Sequence, residues 1–399
     1  MFSTKKKLDG NLKYYISNNS YKNYRVLIQY KDFQSSIVKK INSYRGHTHH
    51  VIESAKLISA DLNGRGIDRI SEYPEVCKIY LDEYLFLCGI NVTAANKVHF
   101  SENHILSGVG VGIGLVDSGI FPHPDLISPS NKIELFEDLI NEVHYPYDDN
   151  GHGTSIAGIL CGNGISSNSI YKGICYKSKL YCYKAFDKFG KGFASDILYA
   201  IESLSNIAKD NNIRILCLPF ELLTHNTFIT SCFSSAFDYA ISKGLIPIVP
   251  SGSNSSIMTS IMGIATLPNC IAVSGLDTTL PLIRTYPYSS SGPYGKTSKP
   301  DLSAACVNII SLNCNTNYIS EKNGLKLYPN KLDLPYKTFS GTSIAAAYIC
   351  GLCSLLCEKN PSITFKDMIS ILKVACEPVQ DIPKQIQGEG IVNIDKLLS

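Results

Sequence analysis

Asp117, His152 and Ser343 are the residues of this 399-residue chain whose types and settings could do chemistry together. Asp117 closes the apolar run of "GVGIGLVDSGI", His152 stands between two glycines in "DDNGHGTSIAGIL", and Ser343 follows Gly-Thr in "FSGTSIAAAY". A serine hydroxyl is a poor nucleophile at neutral pH and needs an adjacent base. Histidine takes that proton near its own pKa and later returns it to a leaving amine. A buried carboxylate on the far ring nitrogen holds the imidazole in one tautomer and stabilises its charged form. A helix N-terminus behind Ser343 would add a backbone N–H for the developing oxyanion.

Each residue alone has a plainer reading. Ser343 could cap a helix, Asp117 could serve a turn, and His152 could be a hydrogen-bonded core histidine. Together, each in its own local pattern and in the order Asp, His, Ser, they are hard to assign to chance. Other clusters carry less. Cys350, Cys353 and Cys357 share one helix side in "AAAYICGLCSLLC" and lack a clear fourth ligand, which suits core packing better than zinc or iron–sulfur. His47, His49 and His50 in "HTHH" read as the start of a half-exposed strand. Lys5, Lys6 and Lys7 read as a solvated tail.

The catalytic candidates need elements that bring their ends together. From Asn96 onward, continuous apolar strands ("GVGIGLVD", "LYCYKAF", "IRILCLPF", "GLIPIVPSG", "NCIAVSG") alternate with helices ("FASDILYAIESLSNIAKD", "SCFSSAFDYAISKG"). That alternation predicts a mostly parallel sheet covered on both faces, an α/β three-layer fold. In such sheets functional residues gather at the carboxyl ends of the strands. Ahead of it, "YRVLIQYK", "FQSSIVKKINSY", "HHVIESAKLISADL", "GRGIDRISEY" and "VCKIYLDEYLFLC" read as strand, helix, strand pair, helix and strand, a small α+β unit. The expected organisation is a polar tail over 1–20, a small domain over 21–95 and a catalytic domain over 96–399.

Composition bounds the function. A net charge of +3, without a basic run interleaved with aromatics, argues against nucleic acid. No run approaches the ~18 apolar residues of a membrane span, and the N-terminus has no apolar stretch of the ~7–15 residues a secretory signal uses. A cytoplasmic protein with reduced, buried thiols is expected from its 14 scattered cysteines.

The three motifs "VDSGI", "NGHGTSIAG" and "SGTSIAAA" resemble those of the subtilisin-like serine proteases (subtilases), closest to the cytoplasmic alkaline proteases of the AprX type. "GIFPHPDL", "PYDDNGHGT", "SSSGPYGKTSKPDLSA" and "VNIISL" extend the resemblance from about Val98 to the C-terminus. It implies a subtilisin-like fold, with Asp117 orienting, His152 as base and acid, and Ser343 as acylating nucleophile. It also implies a groove for extended polypeptides, with Gly190, Lys191 and Gly192 on one edge, Pro219, Phe220 and Glu221 on the other, and Ser251 and Gly252 beside them. Paired glycines allow the close approach of an added peptide strand. The small leading domain would assist folding and act as an intramolecular inhibitor. No cofactor is required; calcium is common in relatives, but no ligand loop can be assigned here.

The pattern also breaks. The family's oxyanion segment ends in Ala-Ala-Gly-Asn, and this chain reads "IVPSGSNSS", placing Ser253 at the donor position and Asn254 one residue later. Pro219-Phe220-Glu221 replaces Ser-Leu-Gly, which removes a backbone donor and adds a carboxylate. Ala347 replaces a proline, and Ala305-Cys306 replaces Pro-Gly. Three functions follow as expectations: a serine endopeptidase slowed at its oxyanion site, a protease-like binding protein that has lost turnover, or an esterase or peptide ligase on the same triad.

Overall fold

A computed structural model describes residues 7–52, 56–82, 95–96, 106–223, 226–293 and 298–398. The chain divides into two compact units, Met1–Phe86 and Leu87–Ser399.

In the first unit, strands β1 (Tyr24–Tyr30), β2 (His47–Ile52), β3 (Leu57–Leu62) and β4 (Val76–Leu81) form an antiparallel sheet in the order β2-β3-β1-β4. The alternation in "YRVLIQY" sets its two faces, since Tyr24, Val26, Ile28 and Tyr30 are buried. Helices Gln34–Ser43 and Gly64–Ser71 cover that face with Ile37, Ile41, Ile67 and Ile70. The strand and helix order matches the reading of the sequence. "HTHH" opens β2, where His49 meets Asp61 at 3.0 Å.

The expected polar tail is the first correction. Residues 10–17 form a helix, Leu8 bridges to Ile79, and Leu12 is fully buried in the core of this unit. The many Asn, Lys and Ser residues of the stretch mask two buried leucines, Leu8 in a bridge ahead of the helix and Leu12 within it. The chain expected to lead out of the last strand, "YLFLCGINVTAANKVHF", falls for the most part outside the described residues.

In the second unit, β5 (Gly112–Asp117), β6 (Ile133–Asp138), β7 (Lys179–Lys184), β8 (Ile213–Cys217), β9 (Ile246–Pro250) and β10 (Ile271–Asp277) build the sheet. Its order runs from Cys376–Glu377 through Ile391–Val392, Leu302–Ala305, β10, β9, β8, β5 and β7 to β6, with Arg284–Thr285 paired beside β10. From Ile391–Val392 to β6 every neighbouring pair is parallel. All six residues of β5 are buried, as expected of a strand covered on both faces.

Two cores flank this sheet. One face carries the helices His152–Cys161 and Thr342–Lys359, and the other carries Ala194–Ile207 and Thr227–Ser242. The last of these starts earlier than "SCFSSAFDYAISKG" suggested, because Asn226 caps it by accepting from the Ile229 N–H. The Thr342–Lys359 helix is long and apolar enough to cross a membrane, yet 83% of its apolar window is buried inside the fold. Its thiols Cys350, Cys353 and Cys357 are core residues. Burial raises all three, Cys357 to about 11, so they stay protonated near neutrality.

The sheet changes direction at β5. The chain passes from β5 to β6 and β7 on one side, and reaches β8 on the other. Asp117 is the last residue of β5, paired in register with Lys184 of β7, which is in turn level with Asp138 of β6. The carboxyl edge at this switch point is where an α/β sheet places its chemistry.

Candidate active site

Asp117 and His152 meet at that edge. His152 Nδ1 lies 2.8 Å and 3.0 Å from the two Asp117 carboxylate oxygens. Asp117 is 3% exposed, and its Oδ1 also accepts the Ser118 N–H at 2.6 Å. A carboxylate held this way keeps the proton of the neutral ring on Nδ1 and leaves Nε2 to act as base. The His152 side chain is half-buried, 36% exposed, and anchored on its Asp117 side, so the core-histidine reading falls.

The turn before His152 is built on Asp148. Its buried carboxylate accepts the Ser118 hydroxyl at 2.9 Å, the N–H groups of Asn150, Gly151 and Thr154, and the Thr154 hydroxyl. Gly151, at φ +98°, caps the helix that His152 opens. Gly153 has no room for a side chain, because a Cβ there would lie 2.1 Å from the Gly119 carbonyl oxygen and 3.1 Å from Asp117 Cβ. The glycine is what lets the His152 helix sit against the end of β5.

Burial and two carboxylates act on the imidazole. Burial opposes its charged form, the Asp117 carboxylate favours that form by charge and hydrogen bond, and Asp148 adds to it. The net direction is upward from the ordinary histidine value. On the far side of Asp117, the fully buried Lys184 donates to the Ser118 and Phe186 carbonyls and pairs with Asp149 at 2.6 Å. This ties the loop that carries Asp117 to the loop that carries His152.

Ser343 lies in the first turn of the Thr342–Lys359 helix, but Gly341 is the N-cap and no side chain caps that end. The Ser343 hydroxyl donates instead to the Pro219 carbonyl at 2.9 Å, on a different segment. The capping reading is therefore wrong for this serine. The hydroxyl is also not hydrogen-bonded to His152, so of the three predicted residues the structure joins Asp117 to His152 and sets the Ser343 hydroxyl against the Pro219 segment. Catalytic hydrogen bonds are often unmade before substrate arrives. The Ser343 N–H belongs to the first helical turn, whose donors have no partner within the helix.

Pro219, Phe220 and Glu221 continue β8. The Phe220 ring is held between Phe186 and Phe233, with centroids 5.3 and 6.4 Å away. Glu221 reaches across to the segment after β9, where its carboxylate accepts both the N–H (2.9 Å) and the hydroxyl of Ser253. Ser251 lies buried beside Ser289, and Gly252 adopts φ +108°. A Cβ on Gly252 would fall 2.8 Å from the Glu221 carboxylate. The Asn254 side chain donates to the Ser260 carbonyl at 3.2 Å. Both sequence candidates for an oxyanion donor thus have other acceptors in this arrangement.

Gly190 and Lys191 belong to a tight turn closed by Asp187, which accepts the Lys191 N–H at 2.9 Å on its side chain. Asn150 donates to the Lys188 carbonyl and links this turn to the His152 loop. Gly192 follows, where a Cβ would strike the Ala185 carbonyl at 2.3 Å. Among the described residues, no three His, Cys, Asp or Glu side chains gather as metal ligands.

Asp148, Lys184 and Ser118 were not singled out in the sequence. The signals for them were the paired aspartates four and three residues before His152, and a lysine inside the apolar run "LYCYKAF".

A model of the subtilase family matches residues 108–390. The chain is 31% identical over 341 residues to a protein named serine protease AprX from Bacillus subtilis (strain 168), covering 82% of this chain and 75% of that one. It is 25% identical over 353 residues to M-protease from Shouchella clausii (strain KSM-K16), covering 87% and 80%. Two solved structures share the fold. S41 psychrophilic protease has a TM-score of 0.61 at 23% identity, covering 76% of this chain and 97% of its own. Sphericase has 0.58 at 24%, covering 74% and 91%. Relatives named as proteases do not favour a protease-like protein without turnover.

Proposed function

The chain belongs to the subtilase family and is a serine protease, and from that footing we propose an endopeptidase that cleaves extended or unfolded polypeptides through an acyl-enzyme on Ser343. The Asp117–His152 pair carries this reading, because it is set at the strand-end switch point with His152 Nδ1 held against the Asp117 carboxylate. In the proposed reaction Ser343 leaves the Pro219 carbonyl, passes its proton to His152 Nε2 and bonds to the substrate carbonyl carbon. The imidazolium, balanced by Asp117, protonates the departing amine. Water then repeats the sequence in reverse and frees the acid.

The Ser343 N–H is one donor for the oxyanion. The second is weakened while Ser253 holds Glu221 and Asn254 holds Ser260, and in subtilisin the loss of such a donor costs about 10²–10³ in turnover. Extended substrates fit because a groove that pairs with backbone needs a strand, which folded proteins rarely offer. The leading unit serves as an intramolecular inhibitor in this reading. No cofactor is required, and the unpaired thiols among the described residues suit the reducing cytoplasm.

A fluorophosphonate probe tests the reading. It should label the protein, and Ser343→Ala should lose both the label and the digestion of casein. Digestion that survives in Ser343→Ala, or label without hydrolysis of any polypeptide, would overturn it.

A further inference from the structure

The groove wall holds a charge that the proposed reaction does not use. Glu221 is half-buried, and its carboxylate spans from the segment after β8 to the segment after β9. Both segments touch the nucleophile turn. Ser343 donates to Pro219 O at 2.9 Å, and the Thr342 hydroxyl donates to Gly252 O at 3.2 Å. A carbonyl carbon bonded to Ser343 Oγ must therefore lie between these segments. Glu221 follows Pro219 by two residues and its carboxylate lies over Gly252, so it stands on both segments that the nucleophile turn contacts.

The orientation of that carboxylate is set from behind. Phe220 is anchored between Phe186 and Phe233, so the next residue along is presented to the gap over Gly252. Among the described residues its donors are the N–H and hydroxyl of Ser253, both neutral. Among the described residues no Lys, Arg or His forms an ion pair with it. A carboxylate has about four acceptor positions, and Ser253 occupies two. What remains is a carboxylate partly removed from water, hydrogen-bonded to neutral donors and, among the described residues, without a counter-charge, beside the turn that carries Ser343.

We propose that Glu221 makes the enzyme select a lysine or arginine as the residue that donates its carbonyl to Ser343. An ammonium or guanidinium supplies the missing charge and uses the open acceptor positions. A leucine leaves the carboxylate unpaired, and an aspartate or glutamate adds repulsion. The proposal rests on the endopeptidase reading above.

Four peptides that differ only in the residue before the cleaved bond (Lys, Arg, Leu or Glu) test it on the full chain. For the wild type, kcat/KM for Lys and Arg should exceed that for Leu by on the order of ten- to a hundredfold, the worth of one charged hydrogen bond. In Glu221→Gln the Lys-to-Leu ratio should fall towards one, and in Glu221→Lys the Glu peptide should overtake the Lys peptide. A ratio is read within one preparation, so partial loss of fold lowers both rates and leaves it unmoved. Hydrolysis with no preference for Lys or Arg, or a preference that survives in Glu221→Gln, overturns the assignment and leaves the protease reading intact. No hydrolysis of any peptide or of casein, with Ser343 unlabelled by the fluorophosphonate, overturns both.

Discussion

His152 has to be neutral to accept a proton, while Asp117 and Asp148 both favour its charged form. Burial of the ring works the other way and is outweighed, so the group titrates above the ordinary histidine value of about 6.5. The rise of kcat/KM on the acid side should therefore be centred above that value. Its stability sign is opposite. A pair that raises the folded pKa stabilises fully below the unfolded pKa, and that contribution fades as pH climbs through the folded one. Asp148 does not touch the ring, so Asp148→Asn separates its electrostatic part from direct contact. We expect the acid limb to move to lower pH, because one of the carboxylates favouring the cation is gone. The same change leaves N–H donors facing an amide in place of a carboxylate and should cost about 1–3 kcal/mol of stability in urea melts. An acid limb that stays put in this variant would show that Asp148 acts on the turn alone.

Elements converge here because small residues let them. The His152 helix approaches the end of β5 at Gly153, where a Cβ would collide with the Gly119 carbonyl and press on Asp117. Gly153→Ala should push His152 and Asp117 apart, destabilise the fold by about 1–3 kcal/mol as overpacking does, and lower kcat by on the order of 10², the penalty of a misplacement near 1 Å. Wild-type kcat with wild-type stability would contradict this account of the contact. The reason for the glycine was invisible in "NGHGTSIAG", since the colliding carbonyl lies more than thirty residues away. The pairing of Asp117 with His152 was legible because an oriented imidazole demands a carboxylate at a neighbouring element end. β5, β7, β8, β9 and β10 were legible because covered parallel strands read as unbroken apolar runs. β6 was not, since "IELFED" is an edge strand whose middle residues are only partly buried. The Glu221–Ser253 clasp could not be read either, because it depends on two loops meeting that the sequence keeps apart. Leu8 and Leu12 were hidden by the polar residues around them.

At the scale of the whole molecule, the two units keep separate cores. The first packs Leu8, Leu12, Val26, Ile37, Ile58, Ile67 and their neighbours around four short strands, whereas the second buries two large clusters on either side of its long sheet. A unit of fewer than a hundred residues buries a smaller share of its surface than one three times longer and is correspondingly less stable. The chain should therefore not unfold as a single two-state body, and the leading unit should melt at lower urea than the catalytic unit. If that unit restrains the active site, its loss has a sign that simple denaturation lacks. Cleavage of a short chromogenic peptide should rise over the first transition and collapse only over the second. The rise should be reversible on dilution in a preparation too brief for self-cleavage, and no hydrolysis should appear at any urea concentration in Ser343→Ala. A rate that only falls, in step with the first transition, would mean that the leading unit supports the site and does not inhibit it.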